Sequence, residues 1–170
     1  MARADTIAQR LLDDFGVIRP PIDPVKMAED LGTPVVYRVM TPDVSGMLIR
    51  EPSGSVIGVN DQHAGVRQRF TVAHELGHLH LHPGRPLIVD AAVLVNLRDQ
   101  VSSLATDREE IEANRFAAAL LMPDVMVRVE LDRLGVIDPD KITNRLAKIF
   151  NVSAAAMTIR LTTLGLFGLA

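Results

Sequence analysis

The feature that most constrains this chain is the pentapeptide His74-Glu75-Leu76-Gly77-His78, which has the pattern HExxH. It lies within a run of good helix formers, and two histidines four residues apart share one face of a helix, with Cβ atoms about 5–6 Å apart. Both imidazoles can therefore reach one metal ion, and neutral imidazole is a preferred ligand of zinc. Glu75 can hold a water molecule beside the metal and accept its proton without occupying a ligand position.

The spacing of residues around the motif predicts that both histidines face the protein interior. One inward-facing helical stripe comprises Phe70, Ala73, His74, Gly77, His78 and Leu81. A buried pair of imidazoles needs polar partners, and a metal ion supplies one to each. Gly77 supports this interpretation, because glycine inside a helix costs about 1 kcal/mol relative to alanine and usually marks a close approach. The alternative is a surface helix that carries two histidines by chance.

Composition limits what can hold the metal. The 170 residues include no cysteine, which excludes disulfides and thiolate ligands and leaves histidines and carboxylates. The net charge of −3 gives no general signal for nucleic acid. The first residues lack the apolar core of a signal peptide, and no apolar run is long enough to span a membrane. We therefore expect a cytoplasmic protein without a membrane partner.

Periodicity and turn residues predict a mainly helical chain with three short strands. We expect the motif helix to be capped by Asn60-Asp61 and to end near His82, and a second long helix to cover residues 107–122. Residues 84–106 show no clear pattern. The other predicted elements are helices over residues 4–15, 25–31, 124–134, 141–150 and 153–164, and strands over residues 35–39, 46–49 and 56–59.

Two histidines do not complete a catalytic zinc site, which typically has three protein ligands and a water molecule. His82 shares the face of His78, but ligands at i, i+4 and i+8 form a row about 12 Å long and cannot surround one ion. The position ten residues after His74 holds Gly84, which excludes the metzincin class. A carboxylate from the second long helix remains.

Three carboxylates, those of Glu109, Glu110 and Glu112, are clustered near the start of that helix. Glu112 precedes Phe116 by four residues and Glu109 precedes Ala113 by four, so both can lie near the inward face. Glu110 is expected further round the helix, in solvent. A favourable interaction with the helix dipole explains acidic residues in a first turn without any metal, and it suffices for two of the three.

In combination, the motif at residues 74–78 and the segment at residues 112–123, EANRFAAALLMP, resemble the ImmA/IrrE-type metallopeptidases. Supporting matches are Val59-Asn60, residues 67–73, His82, residues 146–153 and Arg160-Leu161. The resemblance implies that Glu112, directly before Ala-Asn, is the third metal ligand, with Glu109 as the alternate. It makes His82 a pocket residue that orients a group or stabilises the oxyanion.

We expect an α+β fold with a mainly helical, zincin-like metallopeptidase core over residues 1–123, which includes a small three-stranded sheet. A helical, helix-turn-helix-like subdomain over residues 124–170 is expected to pack on this core. Zinc at the site would activate water and polarise the scissile carbonyl, with Glu75 as the base. Tyr37, His80 and His82 are candidates for a second oxyanion stabiliser.

The strand at residues 55–60, with Val59 and Asn60, is a candidate edge that pairs with an extended peptide substrate; the alternative is an ordinary interior strand. The family resemblance implies a protein substrate, a helix-turn-helix repressor encoded nearby, whose cleavage relieves repression in a mobile-element or stress response.

Two other functions compete with peptide hydrolysis. The helices at residues 146–150 and 154–164 read like a helix-turn-helix, which favours a DNA-binding regulator. However, the second helix begins with few groups that read base edges, and only four basic residues follow position 140. A zinc-stabilised interaction module without catalysis is the other alternative, and Glu75 argues against it because a structural site has no use for that residue.

Overall fold

A small sheet packed against helices forms the chain, which we describe from a computed structural model over residues 2–84, 86–91, 100–135 and 138–167. These residues form seven helices and four strands, so the expected α+β, mainly helical fold is confirmed. The helices are α1 (Arg3–Asp14), α2 (Pro24–Asp30), α3 (Gly65–Leu81), α4 (Gln100–Leu121), α5 (Asp124–Leu134), α6 (Pro139–Phe150) and α7 (Ala154–Thr163). The strands are β1 (Val35–Arg38), β2 (Val44–Glu51), β3 (Gly54–Asn60) and β4 (Leu87–Ala91).

The sheet has the strand order β1-β3-β2-β4. Strands β2 and β3 form an antiparallel hairpin whose turn is Pro52-Ser53, as the turn residues predict. β1 runs parallel to β3 on one side, and β4 runs antiparallel to β2 on the other. The sheet therefore has one strand more than the three that the sequence predicts. β4 lies in the stretch without a clear pattern, because its short apolar run becomes a strand only through pairing with β2.

The expectation that residues 55–60 form an exposed edge is wrong. Strand β3 lies inside the sheet, hydrogen-bonded to β1 and to β2, so it has no free edge for a peptide. The side chains of Val59 and Asn60 are fully buried. The Asn60 amide donates to the carbonyl oxygens of Thr41 and Val44 at 3.1 and 2.8 Å, so it fixes the loop before β2. The alternative, an interior strand, is correct.

The motif helix α3 starts later than expected. Its N-cap is Ala64 and no side chain caps it, so the predicted cap at Asn60-Asp61 is wrong. The helix then runs to Leu81 with every residue from Thr71 to His78 buried. It packs on the sheet through β2 and β3 and on the opposite side against α4. The HExxH residues therefore lie between the sheet and a second helix.

Helices α3 and α4 lie close together at Gly77. A Cβ atom there would lie 3.1 Å from the Cα atom of Ala113, 3.1 Å from its carbonyl oxygen, and 3.2 Å from a ring carbon of Phe116. The first two neighbours are backbone atoms and cannot turn away. The expected close approach at this glycine is confirmed, and it sets how α4 lies across the motif helix.

We expect Gly77→Ala to lower the free energy of unfolding. Overpacking costs about 1–3 kcal/mol, and because two of the neighbours are backbone atoms we expect a cost above the gain of about 1 kcal/mol that alanine brings to a helix interior. The control is Gly65→Ala in the same helix, where an added Cβ atom meets nothing within 4 Å. Urea unfolding of both variants without metal measures the difference. Equal stability of Gly77→Ala and the unaltered chain would contradict the tight crossing.

The last three helices pack on the rest of the chain. The Arg160 guanidinium of α7, almost fully buried, donates to the carbonyl oxygen of Met122 at 2.9 Å. Arg69 of α3 donates to the carbonyl oxygen of Asn151 at 3.1 Å, which ties the motif helix to the turn between α6 and α7. One apolar core cluster includes residues from α1 to α7. The division into residues 1–123 and 124–170 stays a prediction.

Candidate metal centre

The α3–α4 crossing brings two histidines and one carboxylate together. The Nε2 atoms of His74 and His78 lie 3.0 Å apart. The two carboxylate oxygens of Glu110 lie 3.2 Å from Nε2 of His74 and 3.3 Å from Nε2 of His78. Both histidines are almost fully buried, whereas the Glu110 side chain is 32% exposed. The three groups therefore converge on one point at the rim of the interior.

The position of Glu110 differs from the sequence-based expectation. We expected its side chain in solvent and Glu112 beside the histidines, but Glu112 contacts His82 instead, at 3.2 Å from its Nε2 atom. The reason is the helix crossing. Glu110 lies one turn before Ala113, the residue that contacts Gly77, so it reaches the histidine pair. Glu112 and Glu110 flank the apolar stripe of α4 on opposite sides, and only one flank faces His74.

The donor set fits a tetrahedral zinc ion. Two nitrogens bound to such an ion at 2.0–2.1 Å lie about 3.3 Å apart, close to the separation of the two Nε2 atoms. On His74, Nδ1 faces the Asn114 side-chain oxygen at 3.1 Å. An amide oxygen only accepts hydrogen bonds, so Nδ1 must carry the proton. Nε2 of His74 then presents a lone pair to the point that it shares with Glu110.

The charges at the site also suit a cation. Burial opposes ionisation of Glu110, but its contacts with the imidazoles of His74 and His78 outweigh burial and hold the pKa of this carboxyl well below its usual range. Burial lowers the pKa of His78, so its neutral imidazole is favoured. A carboxylate and neutral imidazoles are the protonation states that metal ligands require.

Glu75 lies on the sheet side of α3 and is fully buried. A Cβ atom added to Gly46 of β2 would lie 3.3 Å from one carboxylate oxygen of Glu75 and would collide with Thr71, so only glycine leaves room there. The guanidinium of Arg50, also on β2, interacts electrostatically with Glu75. It also donates to the carbonyl oxygens of His78 and His82 at 2.7 and 3.0 Å. The sheet thus positions the glutamate and holds the end of the motif helix.

The three candidates for a second oxyanion stabiliser lie in different surroundings. His82 is buried and its Nδ1 atom lies 3.1 Å from Nδ1 of His78. The ring of His80 stacks on Phe116, with centroids 6.1 Å apart, on the α4 side of the helix. Tyr37 is 40% exposed on β1, and its pKa is raised by burial and by the nearby Asp23 carboxylate. Of the three, only His82 touches the histidine pair.

Asn114 and Arg50 carry no assignment in the sequence-based interpretation, although both contact the motif. A signal for Asn114 was present, because it follows Glu110 by four residues and so shares its helix face. No comparable signal marks Arg50. Its role depends on the pairing of β2 beside α3, which the local sequence does not contain.

The pairing of HExxH with a carboxylate as third ligand defines a class of metallopeptidases. A family model, Peptidase_M78, the IrrE N-terminal-like domain, matches residues 28–162. The chain belongs to this family, which confirms the resemblance read from the motifs.

Two further proteins are similar to this chain in sequence. The radiation response metalloprotease IrrE of Deinococcus radiodurans is 33% identical over 113 residues, which are 66% of this chain and 32% of that protein. The uncharacterized immunity region protein 2 of Bacillus phage phi105 is 26% identical over 107 residues, 62% of this chain and 61% of that protein. The chain thus spans about a third of the first relative and under two thirds of the second.

A Mycobacterium tuberculosis transcriptional regulator has a similar fold, with a TM-score of 0.63 and 22% identity over 94% of this chain and 46% of that chain. Among the residues that the structure describes, no helix is long and apolar enough to cross a membrane.

Proposed function

We propose that this chain is a zinc-dependent endopeptidase that hydrolyses a peptide bond in a protein substrate. The observation that carries the proposal is the convergence of His74, His78 and Glu110 on one point, with the buried carboxylate of Glu75 on the same helix. Two imidazoles and a carboxylate without thiolates suit zinc. A purely structural site would not need Glu75.

In this proposal His74, His78 and Glu110 hold the metal, and neither Glu112 nor Glu109 does. A bound zinc ion supplies Lewis-acid polarisation and lowers the pKa of water. Glu75 is the general base: its carboxylate accepts a proton from the attacking water and delivers that proton to the leaving amine. Burial between α3 and β2 keeps this carboxylate in place during both transfers.

The proposed substrate is a helix-turn-helix repressor encoded near the gene for this chain, cleaved in the cytoplasm. The relatives support a regulatory setting, because one is described as a radiation response metalloprotease and the other as an immunity region protein of a phage. We infer that cleavage relieves repression in a stress or mobile-element response.

Direct DNA binding by the C-terminal helices has weaker support. Of the four basic residues after position 140, Arg160 is buried and bonded to a backbone carbonyl, so it is not available to phosphates. Lys141, Arg145 and Lys148 remain exposed on α6. Three charges provide little affinity for DNA at physiological salt.

The test is incubation of the zinc-loaded full chain with the purified repressor encoded beside its gene, followed by mass spectrometry. We expect two discrete fragments, no cleavage with a zinc chelator, and recovery when zinc is returned. A peptide library made from a bacterial proteome is digested in parallel. Cleavage of library peptides but not of the repressor would overturn the substrate, and cleavage of neither would overturn the peptidase.

A further inference from the structure

We propose that His82 and Glu112 are positioning residues that fix the tautomer and orientation of His78 for metal binding. The proposal rests on the proposed zinc site and adds to it the groups that lie behind the second histidine ligand. It also gives a role to Glu112, which the sequence resemblance placed on the metal.

A series of hydrogen-bonding contacts leads away from the histidine pair. Nδ1 of His78 lies 3.1 Å from Nδ1 of His82, and Nε2 of His82 lies 3.2 Å from a carboxylate oxygen of Glu112. The other carboxylate oxygen of Glu112 accepts from the guanidinium of Arg108 at 3.2 Å. Both imidazoles are buried, with His78 1% and His82 8% exposed. This series of contacts runs from the interior to the surface of α4.

When His82 is a neutral imidazole, the acceptor at Glu112 determines the position of every proton in this series of contacts. An ionised carboxylate only accepts hydrogen bonds, so Nε2 of His82 must carry a proton. In a neutral imidazole the other nitrogen then has a lone pair, so Nδ1 of His82 accepts from Nδ1 of His78. The proton of His78 therefore lies on Nδ1. Its Nε2 lone pair is left facing His74 and Glu110, as a metal ligand requires.

A simple ion pair between a protonated His82 and Glu112 predicts the opposite state. Both ring nitrogens of an imidazolium are donors, so Nδ1 of His82 would donate to His78. His78 would then carry its proton on Nε2, where it blocks the metal. The two interpretations therefore differ in a measurable property, the position of the proton on His78.

The arrangement mirrors that of the first ligand. His74 donates from Nδ1 directly to the side-chain oxygen of Asn114, whereas His78 reaches Glu112 through His82. Both final acceptors lie on α4, which also carries Glu110. Helix α4 thus supplies one ligand and the orienting acceptors of the other two, at positions 110, 112 and 114.

The first test needs no substitution. Nitrogen-15 NMR spectra of the histidine side chains, recorded on the zinc-loaded full chain, report which ring nitrogen carries the proton. We expect Nδ1–H with zinc on Nε2 for His78, and a neutral Nε2–H tautomer for His82. A doubly protonated His82, or a proton on its Nδ1 atom, would overturn the proposal.

The second test measures zinc affinity by competition with a chromogenic chelator. We expect His82→Ala and Glu112→Ala each to weaken binding by about 10–100-fold, the usual effect of groups that orient a ligand. His82→Asn should lose less, because its amide oxygen offers an acceptor near the position of Nδ1. His63→Ala, which removes an imidazole that contacts the carbonyl oxygen of Pro42 outside the site, is the control and should keep the affinity of the unaltered chain.

The outcomes separate this proposal from the proposed function. If the unaltered chain fails to bind zinc, both are overturned. If it binds zinc tightly and His82→Ala binds equally well, only the positioning role is overturned. Circular dichroism of each metal-free variant identifies any loss that comes from unfolding, and the NMR test on the unaltered chain decides in that case.

Discussion

Glu75→Gln should reduce peptide hydrolysis by about 10²–10⁴-fold, the range that a general base contributes, while zinc binding is retained. The substitution keeps the size of the side chain and its place under Gly46, but an amide cannot accept the proton of the attacking water. Glu75 makes no ligand contact in the proposed site, so the metal should stay. Single-turnover cleavage of the repressor and zinc content by atomic absorption measure the two effects.

The matched control is Glu29→Gln, the same change at an exposed position on α2. It should leave both cleavage and zinc content unchanged. Undiminished cleavage by Glu75→Gln would refute the role of Glu75 as base. Loss of zinc from that variant would instead place Glu75 among the ligands, which also contradicts the proposed mechanism.

Glu110→Ala should weaken zinc binding by more than about 100-fold, beyond the range expected for a group that only orients a ligand. The substitution removes the carboxylate that lies against both histidines and leaves two imidazoles to hold the ion. The lowered pKa of Glu110 means that its histidine partners stabilise the folded chain, so Glu110→Ala should also lower the free energy of unfolding of the metal-free chain at neutral pH. Zinc affinity by chelator competition is the measurement, with metal-free urea unfolding beside it.

Glu112→Ala and Glu109→Ala provide the comparison on the same helix. A smaller loss of affinity is expected for Glu112→Ala, and none for Glu109→Ala. The ligand assignment drawn from the family resemblance predicts the reverse order for Glu110 and Glu112. A larger loss for Glu112→Ala would restore that assignment and remove Glu110 from the site.

The elements of the fold were largely predictable, because most have local signals. Helix α1 ends at Asp14, one residue before the predicted end at Phe15, and Gly16 follows its C-cap; the hairpin turn at Pro52-Ser53 is explicit in the sequence. The strand order was not predictable. The parallel pairing of β1 with β3 joins strands with β2 between them in sequence, and β4 is a strand only by virtue of its neighbour.

The residues of the site also fall into a predictable group and a group that depends on tertiary packing. His74, Glu75 and His78 were found because a spacing of four residues fixes their relation within one helix. The choice between Glu110 and Glu112 depends on which flank of α4 faces α3, and that depends on the contact of Gly77 with Ala113. The spacing within α4 favours Glu110, because it precedes Ala113 and Ala117 by three and seven residues and so lies nearer the apolar stripe than Glu112.

In the proposed site, the crossing of α3 and α4 would link zinc supply to the stability of the folded chain. Side chains from both helices would hold the ion, so unfolding would separate its ligands and the ion would stabilise only the folded state. At a free zinc concentration a hundred times the Kd, this linkage adds about 2.7 kcal/mol to the free energy of unfolding. Under the proposed function, scarcity of zinc would stop hydrolysis and would also expose more of the chain to proteolysis.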